Sequence, residues 1–338
     1  MSLKTKARNT IQEICRICKE KSLFFLLLIF IILLFSVIFS AAEGIRHVNR
    51  IAAEHWRRGL DSWCSCKFEE ALPEWRTSLL ISTFTRREHA RNLYWNAKAE
   101  KKAGNSRKSA RLLKKLSELY PCSYYSLLAA EKRLSLSEYE RKYYATRYPL
   151  MWADEVRASG AEFNVPPHTI WAIMKQESKF RHNAESRTGA TGLMQLMPET
   201  ASSKAEKTGM ETYNLRNPGD NIKIGTSYFS HLLLLSDGNL ITALAGYNAG
   251  PAAVKAWGKL GAGSWEEWIE RIPYPQTCNF VRNVLANNEM YYRIYNNEKA
   301  PGKRETLSEK LYRLEFAGIH GDGKEQGEED DRQNSTGL

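Results

Sequence analysis

The longest apolar run of the chain lies close to its beginning. Residues 23–42 read LFFLLLIFIILLFSVIFSAA, with two serines and no charged side chain. Because a helix rises about 1.5 Å per residue, twenty such residues span a hydrocarbon core of about 30 Å. Six basic and two acidic residues in segment 1–22 favour a cytoplasmic position for that segment. The pattern predicts a single transmembrane helix, with the rest of the chain exported. The alternative is a cleaved signal peptide, because small residues at the end of the run could form a cleavage site.

Residues 43–147 show a helical pattern, with apolar side chains spaced three and four positions apart. Trp56, Trp75 and Trp95 recur at spacings of 19 and 20 residues, with small residues between them. This spacing is typical of helical-hairpin repeats of the tetratricopeptide kind, which offer a concave surface to a partner protein. The alternative is a packing scaffold in which the tryptophans are core residues.

The pattern changes at residue 148. Short helical stretches now alternate with Gly- and Pro-bearing loops such as SRTGATGLMQLMPET and GYNAGP. Loops of this composition between short helices are common places for functional sites. We therefore predict a second, α-rich domain over residues 148–302, followed by a polar and acidic tail over 303–338 whose composition predicts disorder.

Composition narrows the possible partners. The chain has 338 residues, 43% of them hydrophobic, and a formal net charge of +11, which suggests an anionic partner. Because the basic residues lie on an exported chain, nucleic acid is not expected, and an anionic polymer or lipid remains. Six cysteines in this length exclude a disulfide-dense scaffold. The seven histidines show no metal-ligand spacing, so no metal and no cofactor are expected.

One carboxylate lies on the apolar side of a predicted helix. The stretch PPHTIWAIMKQESKF begins with two prolines, and Glu177 falls one turn after Ile173 and Met174 on the same stripe. Loss of hydration at such a position disfavours the ionised form, so the pKa of Glu177 should be raised, as a general acid requires. The alternative is a helix-terminal glutamate that reaches solvent or pairs with Lys179 or Arg181.

Five short motifs after this helix make the functional interpretation specific. They are Glu177-Ser178, Ser186-x-x-Gly189-Ala190, Gly192-Leu193-Met194-Gln195-Leu196-Met197-Pro198, Tyr247-Asn248-Ala249-Gly250-Pro251, and Ile272-Pro273-Tyr274 with Gln276-Thr277. In this order the chain resembles the soluble lytic transglycosylase family, whose catalytic domain is similar to goose-type lysozyme and which cleaves the glycan strands of peptidoglycan. The resemblance covers about residues 148–297.

The resemblance implies roles for individual residues. Glu177 aligns with the catalytic acid/base of the family. The residues that align with its glycan-binding cleft are Ser186, Gln195, Met197, Tyr247, Asn248 and Gln276. Taken singly, each has a structural alternative: Gln195 could cap a loop, and Tyr247 could belong to the core. The family usually has a glutamate where this chain has Gln276, which keeps the hydrogen-bonding shape and removes a charge.

The resemblance also implies a mechanism. Glu177 would protonate the glycosidic oxygen between N-acetylmuramic acid and N-acetylglucosamine, then accept the proton of the C6 hydroxyl as a 1,6-anhydro ring closes. Neither water nor a metal takes part, and the N-acetyl group of the substrate assists. A lysozyme-type muramidase and a non-catalytic glycan-binding envelope scaffold are the alternatives. The expected location is the bacterial inner membrane with the catalytic domain in the periplasm, or secretion if the apolar run is cleaved.

Overall fold

The computed structural model describes residues 34–36, 38–86, 88–130 and 136–295. Within these ranges the regular structure is helical, apart from two isolated antiparallel bridges that join Thr191 to Glu185 and to Leu196. The helices are α1 (38–64), α2 (Phe68–Thr85), α3 (His89–Lys102), α4 (Ser106–Leu119), α5 (Tyr124–Ala129), α6 (Glu138–Ala145), α7 (Ala153–Glu162), α8 (Pro167–Glu177), α9 (Pro198–Lys207), α10 (Pro218–Leu235), α11 (Leu240–Ala249), α12 (Pro251–Trp257), α13 (Trp265–Arg271) and α14 (Pro275–Tyr295). The prediction of a mainly helical fold is confirmed.

Parts of three sequence predictions lie outside the described residues. These are segment 1–22, most of the apolar run at 23–33, and the polar tail at 303–338. In the ranges that are described, we find no helix that combines the length and the apolar composition needed to cross a membrane.

The tryptophans that recur in the sequence meet in one aromatic core. The indole of Trp75 lies 5.4 Å from that of Trp56 and 5.4 Å from that of Trp95, and all three side chains are buried. Gly59 makes this packing possible, because a methyl group at that position would lie 2.5 Å from the Trp75 ring. Helices α1, α2 and α3 therefore share one aromatic core, and α4 packs on α3.

Helix α8 is the central element of the second half of the chain. Pro167 occupies its first turn, where a missing N–H costs nothing, as the two prolines in the sequence predict. Ile170, Ile173 and Met174 are fully buried, and α14 packs along the helix. The apolar stripe expected from the sequence is thus present, and it places the last residue of α8, Glu177, at the edge of the core.

Helix α13 joins the two halves of the chain. It has the sequence WEEWIER, and its polar side chains bond to residues of the N-terminal helices. The pairs are Tyr94–Glu266 (3.0 Å), Trp63–Glu267 (3.0 Å), Tyr125–Glu270 (2.7 Å) and Asp61–Arg271 (2.8 Å). Glu266 also pairs with Lys98 and is almost fully buried. Since Ile272 and Pro273 follow α13 directly, the N-terminal helices support the segment that carries the last sequence motif.

Candidate active site

Glu177 ends α8 and lies half-buried at its C-terminus. Burial raises the pKa of its carboxyl from an ordinary 4.5 to about 8. The carboxyl also lies at the negative end of the helix dipole, which further disfavours its ionised form. Among the described ion pairs, none joins Glu177 to Lys179 or Arg181, so the alternative of a charge-paired surface glutamate does not describe this residue.

The loop 191–197 faces the end of α8 and is fastened to it by the next residue. Ser178 is fully buried, and its hydroxyl donates to the Leu193 carbonyl at 2.8 Å. The Tyr247 hydroxyl donates to the neighbouring Met194 carbonyl at 2.7 Å. Both bonds fix the loop relative to Glu177. The sequence identified Ser178 only as part of a motif and did not predict its hydrogen bond to Leu193.

Asn221 clamps the same loop from α10. Its side-chain amide donates to the carbonyls of Thr191 and Leu215 at 3.0 Å each, and its oxygen accepts the Met194 N–H at 2.8 Å. The residue is 0% exposed, so each of these bonds satisfies a group that has no access to water. Sequence reasoning missed Asn221, because an asparagine in a polar first turn of a helix has no distinctive local signal.

Gly192 is required where the loop meets this clamp. Its φ of +84° lies in the left-handed region, and a methyl group there would lie 2.2 Å from the Asn221 amide nitrogen and from the Leu215 carbonyl oxygen. Gln195 also has a positive φ, of 49°. Its amide nitrogen donates to the carbonyls of Gly192 (2.9 Å) and Ala184 (3.1 Å). Gln195 therefore stabilises its own loop, which agrees with the alternative role of a loop cap.

Tyr247 lies beside the acid. Burial raises the pKa of its hydroxyl far above the ordinary value, and the charge of Glu177 adds to the effect. Its ring is flanked by Tyr228, with centroids 5.3 Å apart, and stacks on Phe280 at 6.1 Å. The residue thus belongs to the aromatic packing of α10, α11 and α14 and at the same time borders the Glu177 carboxyl.

The other predicted binding residues have contacts within or near their own motif segments. Asn248 accepts the Thr277 hydroxyl at 2.7 Å, which ties the Tyr247 segment to the start of α14, where Gln276 is exposed. Met197 is 37% exposed at the start of α9.

Ser186 closes its own turn. Its hydroxyl oxygen accepts the Ala190 N–H at 2.9 Å. The structure therefore brings together Glu177, Tyr247 and loop 191–197. Among the described contacts none links Ser186, Met197 or Gln276 to the acid.

Comparison with known proteins finds similarity over the part of the chain that contains Glu177. Residues 154–266 match the family described as "Transglycosylase SLT domain". The soluble lytic murein transglycosylase of Escherichia coli (strain K12) is 35% identical over 159 residues, which are 45% of this chain and 24% of that protein. The membrane-bound lytic murein transglycosylase F of Cellvibrio japonicus is 34% identical over 110 residues, covering 31% and 21% of the two chains.

The fold comparison agrees with the sequence comparison. The crystal structure of the 70 kDa soluble lytic transglycosylase of Escherichia coli superposes with a TM-score of 0.59 and 21% identity, over 76% of this chain and 52% of that one. At this identity the likeness shows the fold alone. The chain spans about a quarter of the length of the first curated relatives that it matches.

Proposed function

We propose that this protein is a lytic transglycosylase of peptidoglycan, because residues 154–266 match the transglycosylase SLT family. It cleaves the β-1,4 bond between N-acetylmuramic acid and N-acetylglucosamine and leaves 1,6-anhydro ends. The observation that carries the proposal is Glu177, a half-buried carboxyl with a pKa of about 8 at the end of α8, directly beside loop 191–197 and Tyr247.

This pKa suits a residue that acts first as an acid and then as a base. Near pH 7 most Glu177 carboxyls carry a proton, which can pass to the glycosidic oxygen as the bond breaks. The carboxylate left behind is poorly solvated, so it readily takes the proton of the C6 hydroxyl when that oxygen attacks C1 of the muramic residue. Both protons are thereby accounted for, and no water is consumed.

A one-carboxylate mechanism fits the rest of the site. Most glycosidases use a second carboxylate as nucleophile or base. In the described part of the loop region the nearby glutamates are exposed: Glu185 is bonded to Arg216 at 2.7 Å, and Glu199 lies in the first turn of α9. The N-acetyl group of the muramic residue takes the place of the second carboxylate and stabilises the developing positive charge.

The proposed glycan-binding surface combines Tyr247, which borders the acid, with residues of the neighbouring motifs. Exposed Met197 offers an apolar face to a sugar ring, and the polar side chains offer hydrogen bonds to hydroxyl and acetamido groups. The proposed binding residues are Ser186, Gln195, Met197, Tyr247, Asn248 and Gln276. Because Gln276 is exposed and uncharged, its replacement of the usual glutamate changes a binding contact and leaves the acid intact.

We further propose that residues 23–42 anchor the protein in the inner membrane and that the catalytic domain, residues 148–302, works in the periplasm. The apolar run in the sequence supports this anchor. Residues 43–147 then form a short repeat-like helical region that separates the domain from the membrane and offers a surface to envelope proteins.

Analysis of digestion products tests the activity. The full chain should release muropeptides with 1,6-anhydro ends and no new reducing ends, and Glu177→Gln should slow the release by at least about 10²–10⁴-fold. Glu185→Gln is the matched control, since this exposed carboxylate of the same loop region should be dispensable. New reducing ends would make the protein a muramidase with the same acid. Intact glycan with the unaltered chain would favour a binding scaffold.

A further inference from the structure

A cleft of about 610 Å³ lies beside α1, and Glu177 is not among the residues that line it. One wall is a single face of α1, from Arg46 to Asp61, and the opposite wall is the segment 270–282. That segment carries Gln276 and Thr277, which belong to the last sequence motif. A ligand in this cleft therefore lies against the back of a segment that borders the proposed active site.

The residues that line the cleft carry a surplus of positive charge. Six arginines and three acidic residues line it. Each acid has an arginine partner within the cleft. These pairs are Asp61–Arg271 (2.8 Å), Glu88–Arg91 (3.4 Å) and Glu270–Arg282 (3.5 Å). The three arginines that remain are all contributed by α1.

These three are Arg46, Arg50 and Arg57. Among the described ion pairs Arg50 and Arg57 have no partner, and Arg46 has only an exposed contact of 3.5 Å with Glu43. At about 100° per residue the three positions fall within about 40° of one another around the helix, spaced about 6 and 10 Å along its axis. They form a row of guanidinium groups that faces one cleft.

The position of this row indicates its ligand. Arg46 and Arg50 follow the proposed anchor, which ends at residue 42, by four and eight residues. Along a helix these distances are about 6 Å for Arg46 and about 12 Å for Arg50, so Arg46 lies at the depth of the lipid headgroups and Arg50 one turn above it. Arginine binds phosphate through paired, charge-assisted hydrogen bonds. Basic residues are usually enriched on the cytoplasmic side of a membrane anchor, whereas Arg46 and Arg50 follow the proposed anchor on the exported side. Binding of a lipid phosphate would explain their position.

We propose that this cleft binds the phosphate group of a lipid in the membrane that holds the anchor. The bound lipid would fix the height of the catalytic domain above that membrane. The inference rests on the membrane anchor proposed above. The phosphate belongs either to the headgroup of an anionic phospholipid or to a polyprenyl diphosphate that still carries a glycan strand. In the second case the bound strand would run toward the segment 270–282 and the proposed active site.

Calorimetric titration of the full chain in neutral detergent micelles tests the site. The probes are dihexanoyl phosphatidylglycerol, farnesyl diphosphate and, as a zwitterionic reference, dihexanoyl phosphatidylcholine. We expect saturable binding of one phosphatidylglycerol or farnesyl diphosphate per chain, at least tenfold tighter than any binding of phosphatidylcholine. The tighter of the two anionic probes identifies the source of the phosphate.

Two triple variants make the test specific. Arg46→Gln, Arg50→Gln and Arg57→Gln together should weaken binding at least tenfold, and Arg50→Gln alone should weaken it about threefold. The matched control, Arg107→Gln, Arg111→Gln and Lys114→Gln, removes the same charge from exposed positions of α4 and should change affinity less than twofold.

Absence of saturable binding, or equal losses in both triple variants, would overturn the proposal. Since binding is measured without glycan cleavage, its failure is distinct from a failure of the transglycosylase proposal.

Discussion

Replacement of Glu177 by glutamine should stabilise the folded protein, and more so as the pH rises. The pKa of the carboxyl is about 8 in the folded chain and about 4.5 when unfolded, so between these values the folded state carries the additional proton. The free energy of unfolding therefore decreases as the pH rises from 4.5 to 8, and the full penalty is present above pH 8. At 1.36 kcal/mol per pKa unit, the penalty at pH 7 is at most about 3 kcal/mol.

Because the side chain is only half-buried, solvent reduces this penalty, and we expect a gain on the order of 1–3 kcal/mol at pH 7. For a chain of 338 residues the gain corresponds to a rise of about 1–4 °C in the midpoint of thermal unfolding. The measurement is a thermal unfolding series from pH 4.5 to 8.5 in one detergent, for the unaltered chain and for Glu177→Gln.

The difference in midpoint should be close to zero at pH 4.5 and should level off above pH 8. Glu185→Gln is the control, since it removes an exposed carboxylate of the same loop region. Activity of the unaltered chain should fall as the pH rises through about 8, because the acid then loses its proton. A difference that stays flat with pH, or a Glu177→Gln protein that unfolds earlier, would refute the argument that burial raises this pKa.

Further changes test other parts of the molecule. Gln276→Glu should change the rate of muropeptide release by no more than about tenfold, because the residue is exposed, and a gain of several orders of magnitude would contradict this. Gly192→Ala should cost about 2 kcal/mol or more in chemical denaturation, whereas Gly189→Ala, with a similar φ but open space around it, should cost about 1 kcal/mol. Glu266→Ala should cost about 1–3 kcal/mol in the same assay, because Lys98 and Tyr94 lose their buried partner, and an unchanged midpoint would contradict a stabilising role of the α13 contacts.

The helices and the acid were predictable because their signals are local. The two prolines before α8 mark its first turn, and a spacing of three and four residues places Glu177 below Met174. The short motifs after α8 likewise sufficed for the resemblance to lytic transglycosylases, which the match over residues 154–266 confirms. The boundary at residues 147 and 148, the repeat-like region and the glycan-binding set stay predictions.

The support of the site was not predictable, since its contacts join residues far apart in the chain. The Asn221 clamp on Met194 spans 27 residues, and the contact between Trp63 and Glu267 spans 204. Neither leaves a periodic or spaced pattern in the sequence. The same holds for the row of arginines on α1, whose surplus charge becomes evident only once the acids around the cleft are seen to be paired.

The sequence by itself determined which segments are helical, which face of α8 is apolar and which residue could be an acid. Only the tertiary structure decided how strongly Glu177 is perturbed and which groups fix the loop beside it. The physical reason is that helix formation depends on neighbours within four positions, which the sequence displays directly. A pKa instead depends on how much solvent is excluded by every segment that packs around the carboxyl, and α8, loop 191–197 and Tyr247 meet there only in the folded chain.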